Sequence, residues 1–269
     1  MIYILLFIVL VAFAFYAFKI NRKRPAQSFP NKWKPILGEN VNFYSKLSAT
    51  EKKRFQQRMM LFLSEVYIEG VNVELEDLDK VLIAASAVIP VFGFKEWHYN
   101  NLSGIIIYPD NFNDELAFES NGKSRVIAGL VGSGRFEKQM ILSRKALRHG
   151  FENDTDKGNT SVHEFVHLID KMDGETDGVP ERLLQRQYIT PWLKLMHEEM
   201  EAINDNKSDI RKYGGTSEIE FLTVASEYFF ERPKLFKKEH PELYEMLANC
   251  FQQNPANRIE KSKIQAQNT

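Results

Sequence analysis

Cysteine is nearly absent. Cys250 is the single one among 269 residues, so no internal disulfide can form and no cysteine-ligated zinc finger can be built. A lone thiol suits a reducing compartment. A strong charge of either sign is missing too: 35 Lys and Arg face 36 Asp and Glu, for a formal net charge of −1. Without a basic stripe, nucleic-acid binding has no compositional support. No internal repeat or low-complexity tract is present. What remains, 43% hydrophobic and 26% charged residues, is ordinary for a chain that buries a core. Its length allows one large domain or two small ones.

The N-terminus departs from that balance. Residues 1–18 contain no charged side chain and consist largely of Ile, Leu, Val, Phe, Ala and Tyr. A helix of about 17–25 apolar residues spans a bilayer, so this segment is near the short limit. Lys19, Arg22, Lys23 and Arg24 follow it and no basic residue precedes it. The positive-inside rule then predicts a single-pass membrane anchor with the remainder of the chain on the cytoplasmic side. The competing reading is a cleaved signal peptide, which would want basic residues ahead of the apolar stretch. Residues 19–38, with Pro25, Pro30 and Pro35 among frequent charges, read as a basic, proline-rich tether. Residues 39–255 read as the folded domain and 256–269 as a polar tail.

Within the domain, apolar spacing predicts helices over Ser48–Tyr67, with Ser48 as cap, and over Leu75–Val91, ended by Pro90. Further helices are expected over Pro191–Ile203, Ser217–Arg232 and Pro241–Phe251. Gly104–Tyr108, Arg125–Val131 and Met140–Ser143 read as strands, and Arg144–Lys157 as a polar connection. The pattern is α+β, dominated by helices in its second half.

Chemistry concentrates in His163-Glu164-Phe165-Val166-His167, an H-E-x-x-H pattern. On a helix, residues four apart share a face, so both imidazoles can reach one metal ion. Glu164 beside them can act on a water at that metal, which describes a zinc hydrolase site. By itself the pattern also fits an amphipathic helix whose histidines are merely polar. Its surroundings favour a helix: Asn159, Thr160 and Ser161 are N-cap candidates, and Gly174 can sit just past the end.

A catalytic zinc needs a third protein ligand. His98, His149, His197 and His240 are isolated, and the H-x-x-G-x-x-H extension of three-histidine sites is absent. The apolar segment after Ser217 offers glutamates instead. Glu220 and Glu227 are seven apart and share a face, while Glu218 points elsewhere. A carboxylate in a buried helix is costly unless paired or bound to metal, and Phe221, Leu222, Val224 and Ala225 crowd Glu220. Glu227 is the next choice. It reads otherwise as a supporting group or a buried hydrogen bond to backbone. Asp170 has two open readings: orienting a ligand imidazole, or helping to end the helix.

The stretch His163 to Gly174, the run Ser226-Glu227-Tyr228-Phe229-Phe230 preceded by Glu220, and Ile141-Leu142-Ser143 resemble the Mlc titration factor A family of zinc-dependent peptidases. The resemblance spans roughly residues 30–255 by motif order, and that family's catalytic part looks like the one in anthrax lethal factor. It implies a zincin-like metallopeptidase domain, mostly helical with a small mixed sheet, here preceded by one transmembrane helix. It also implies His163, His167 and Glu220 as ligands of one Zn2+ per chain and Glu164 as general base. In both groups a tyrosine stands seven residues before the ligand glutamate, and Tyr213 occupies that place here, implying a donor to the transition state. The expected function is hydrolysis of peptide or protein substrates. The alternative is a zinc-containing regulatory protein that sequesters a transcriptional repressor or other partner with little or no proteolysis. The apolar N-terminus departs from the soluble cytoplasmic members.

Overall fold

The computed structural model describes residues 27–111, 129–132, 137–152 and 156–258. The anchor expected at residues 1–18, residues 19–26 of the tether and the tail beyond 258 lie outside these. Among the described residues no helix is long and apolar enough to cross a membrane.

The chain order begins with helices α1 (Trp33–Asn40), α2 (Asn42–Ser45) and α3 (Ala49–Glu65). Strand β1 (Tyr67–Gly70), helix α4 (Asp77–Val88) and strand β2 (Gly104–Tyr108) follow. Next come β3 (Gly129–Val131), β4 (Gln139–Ser143), α5 (Arg144–Glu152) and α6 (Thr160–Asp170). The last part is helical: α7 (Ile189–Asn204), α8 (Glu218–Glu231), α9 (Pro233–Glu239) and α10 (Pro241–Cys250). The result is the mostly helical α+β architecture that the sequence pattern predicts.

The four strands form one mixed sheet in the order β1-β2-β4-β3. β1, β2 and β4 are parallel, and β3 runs antiparallel to β4. Ile105, Ile107, Met140, Ile141 and Leu142 are fully buried on the two central strands. Such near-continuous apolar runs are what a sheet covered on both faces requires. β3 ends the order, with Gly129 opposite Leu142 and Val131 opposite Met140. The Gly132 N–H donates to the Gln139 carbonyl at 2.8 Å. Antiparallel alternation then makes Leu130 and Ile141 the next bonded pair, so the backbone groups of Gly129 and Val131 point away from β4, to the side where no described strand pairs.

Several expectations change. Residues 33–38, expected in the tether, belong to α1, whose Trp33 and Leu37 are buried in the core. At the other end Ala256, expected in the polar tail, is buried, and its N–H donates to the Tyr244 hydroxyl at 3.0 Å. The connection expected over Arg144–Lys157 is mostly helix α5, which buries Leu147 and Gly150. Its sequence is polar because one face meets solvent, and Arg148 adds an ion pair to the buried Asp79 at 2.8 Å. The helix expected to run to Tyr67 ends two residues earlier: α3 stops at Glu65, and Tyr67 instead opens β1, which pairs with β2. Ser48 caps α3 as expected, in a reciprocal box with Glu51. Of the strand expected over Arg125–Val131, residues 125–128 lie outside the described part and 129–131 form β3.

Candidate metal centre

Helix α6 begins where the Asn159 side chain accepts from the Val162 N–H at 3.2 Å. Its far end passes through a short 3-10 turn, Lys171–Asp173, to Gly174 in the left-handed region at φ 106°. Phe165 faces the core, packed on Phe62 and Tyr99 with ring centroids 5.6 and 5.2 Å away. Fixing Phe165 inward turns His163 and His167 to the opposite side, where their rings lie 4.6 Å apart. Glu164 is buried at 5% exposure.

Helix α8 packs on α6. Ser217 caps it by accepting from the Glu220 N–H at 3.3 Å, which places Glu220 in its first turn. Glu220 Oε2 lies 3.1 Å from His163 Nε2 and 3.6 Å from His167 Nε2. One potential ligand atom from each of the three residues falls within 4.8 Å of the others. Among the histidines and carboxylates of the described residues, these three can hold a metal ion together.

The donor set fits a cation. Glu220 Oε2 is buried and makes no hydrogen bond. A buried carboxylate oxygen without a partner is costly, and a cation between it and the two imidazoles would satisfy it. Burial opposes ionisation of Glu220, but His163 and His167 outweigh it and hold its carboxyl well below the usual carboxylate range. Burial also pulls the His163 imidazole down, yet Glu227 and Glu220 outweigh that and lift it to about 10. Both shifts report the same demand for positive charge. Burial lifts the Glu164 carboxyl above its ordinary value.

Behind His163 lies a second carboxylate. His163 Nδ1 lies 2.8 Å from Glu227 Oε1, so with its proton given to that carboxylate, a cation displacing the proton on Nε2 would find the ring's other lone pair turned towards the centre. Glu227 also accepts from Arg211 and from the backbone N–H of Asn159. One buried side chain thereby ties the start of α6, a candidate ligand and the loop before α8. Both readings of Glu227 as a supporting group hold at once. Arg211 leads into the 3-10 turn Lys212–Gly215, which carries Tyr213. The Tyr213 ring is 37% exposed and stacks near His163, centroids 6.1 Å apart at 24°.

Asp170 hydrogen-bonds no imidazole. Its Oδ2 accepts from the Gly178 N–H at 3.0 Å, and its Oδ1 has no partner. Gly178 is in the left-handed region at φ 77°, its carbonyl accepts from Trp192 Nε1 at 2.8 Å, and a Cβ there would lie 2.4 Å from the Glu218 carbonyl. Asp170 thus fastens the loop that braces the first turn of α8, and with it Glu220. The isolated histidines stay outside the centre: His98 meets Glu65, His149 meets Asp156, His197 meets Glu218, and His240 lies between Glu199 and Asp209.

Arg211 and Asn159, both partners of Glu227, carry no motif, nor does Gly129, whose Cα lies against Glu164. Glu227 had the seven-residue spacing to announce it and Gly129 the oddity of a glycine in a strand. Arg211 had nothing comparable.

A two-histidine helix beside a mixed sheet, with a carboxylate delivered by a later helix, is the arrangement of an α+β metallopeptidase domain. The chain belongs to the glucose-regulated metallo-peptidase M90 family, whose model matches residues 17–252. It is 29% identical over 231 residues to the uncharacterized protein slr2042 of Synechocystis sp., covering 82% of this chain and 84% of that protein. It is 27% identical over 251 residues to Mlc titration factor A of Klebsiella pneumoniae, covering 87% and 90% of the two chains. The Mlc titration factor A of Enterobacter sp. is 27% identical over 264 residues, or 91% and 93%.

Proposed function

We propose that this protein is a zinc-dependent peptidase, with His163, His167 and Glu220 as zinc ligands and Glu164 as general base. The observation that carries the reading is the unpartnered, buried Glu220 Oε2 facing two imidazoles while Glu164 stands buried between them in sequence. Two neutral nitrogens and one carboxylate are a zinc-type donor set with room for a further ligand. Bound there, zinc supplies Lewis acidity and lowers the pKa of a water from about 16 to about 7.

The protein's own groups do the rest. Glu164, its carboxyl lifted by burial, accepts a proton from the attacking water and returns it to the departing amine. Glu227 holds the His163 tautomer and supports the imidazole. Tyr213 is assigned as the donor to the developing oxyanion, a role supported by its ring lying beside His163. Among the described residues no strand pairs with the outer side of β3, and in this reading an extended peptide adds there, beside the centre.

The test is cleavage of a peptide library by the full-length chain, with and without a chelator, alongside Glu164→Gln. Hydrolysis sensitive to chelator is expected, and the variant should keep its zinc while losing about 10²–10⁴-fold in rate. Equal turnover by Glu164→Gln would sink the mechanism.

The names of the Klebsiella and Enterobacter relatives favour a second reading, in which the chain binds a regulatory protein partner. Stoichiometric capture of such a partner without chelator-sensitive cleavage would replace the first reading with this one. The anchoring of residues 1–18 in a membrane, with the domain on the cytoplasmic face, is a separate proposal that rests on the apolar run and the basic residues after it. Release of the full-length chain by alkaline carbonate would exclude it.

A further inference from the structure

A glycine inside a strand is ordinarily a loss. It offers no side chain to pack and gives up the most freedom on folding. Gly129 nevertheless lies in β3, the outermost described strand of the sheet, opposite Leu142. Its backbone is not left-handed, so its own conformation would accept another residue. The obstacle is a neighbour. A Cβ on Gly129 would lie 2.6 Å from Glu164 Oε1, 2.7 Å from its Cγ and 2.9 Å from its Cδ, all inside van der Waals contact.

The contact is built rather than incidental. β3 packs on α6, and its other end is tied to the same helix where Lys171 Nζ donates to the Gly132 carbonyl at 3.0 Å. The strand is thus seated at both ends on the motif helix, with the bare Cα of Gly129 lying against the carboxylate. Leu130, the next residue, projects to the opposite face and is 40% exposed.

We propose that Gly129 is a positioning residue for Glu164. Its missing side chain lets the edge strand close over the carboxylate and hold it beside His163 and His167. The outward-pointing backbone groups of β3 and the base thereby lie side by side. This rests on the reading of Glu164 as general base.

Gly129→Ala tests it, with Leu130→Ala as a control on the same strand. Gly129→Ala is expected to retain zinc and to lose at least about tenfold in kcat with KM little changed, while Leu130→Ala retains kcat. In a crystal structure of Gly129→Ala, Glu164 should be rotated away from its wild-type place. An unmoved Glu164, or an unchanged kcat in an active protein, overturns the proposal. If wild-type protein shows no chelator-sensitive cleavage, the peptidase reading fails by itself, and the Glu164 position still decides this one. Should Gly129→Ala melt early, the same substitution in a Glu164→Ala background separates the causes. Relief of the lost stability there supports the contact, and a loss that persists overturns it.

Discussion

The two sides of helix α8 obey different rules. One side carries Phe229 and Phe230 into an aromatic cluster, where Phe229 is fully buried with Phe230, Tyr244 and Phe251 centroids 4.9, 5.1 and 5.8 Å away. The other side carries Glu220 and Glu227 towards α6. The aromatic side is stabilised chiefly by buried apolar area, and volume-conserving apolar exchanges there cost little. The acidic side is costly unless each oxygen meets a donor or a cation. Glu227 has its donors from within the protein, whereas Glu220 leaves one oxygen without any. Burial of a charge without a complete set of protein partners marks where a ligand belongs.

That contrast can be broken from either side. The largest effect is expected from Glu220→Ala, which should lower zinc affinity by more than the 10–100-fold typical of an outer partner and abolish cleavage. Metal analysis of the purified variant checks it, and full zinc content would move the third ligand elsewhere. Phe229→Ala should instead cost about 3–5 kcal/mol of stability in denaturant unfolding while the folded fraction keeps its zinc. Zinc loss at temperatures where the variant is still folded would mean that the two sides are not independent.

A smaller effect is expected from Arg211→Ala. It removes a cation from Glu227, loosens the support of His163 and frees the turn that carries Tyr213. Zinc affinity should fall about 10–100-fold without global unfolding. An unaltered zinc titration would show that Asn159 and His163 suffice to hold Glu227.

The smallest effect concerns Asp170, whose carboxyl burial raises to about 7. Because the folded pKa lies above the unfolded one, the native state holds the proton more tightly between pH 4 and 7. Stability therefore falls as pH rises through that window, by up to about 1–4 kcal/mol. Asp170→Asn removes the titration, and its unfolding free energy should be flatter over the same range. An unchanged slope between pH 4 and 7 would assign the dependence to other groups.

What could be read from the chain depended on how local the signal was. His163, Glu164 and His167 are four residues apart at most, and helix periodicity alone brings them to one face. Glu220 and Glu227 were legible through the same period and the expense of burying them. The long helices follow from apolar spacing. Helix α5 was not legible because its sequence is polar and buries only Leu147 and Gly150, while Arg148 holds it through an ion pair to the buried Asp79 that no local pattern announces. Nor was β1, since a strand of four residues gains its identity from pairing with β2.

By itself, then, the sequence determined a two-histidine helix with an adjacent carboxylate and the membership of later glutamates on one helical face. These rest on backbone geometry repeating every few residues. Only the tertiary structure decided that Glu220 meets both imidazoles, that Arg211 stands behind Glu227 and that Gly129 lies on Glu164. Those contacts join residues 16 to 57 positions apart, and no local period encodes them. Packing α8 and β3 onto α6 is what brings them together.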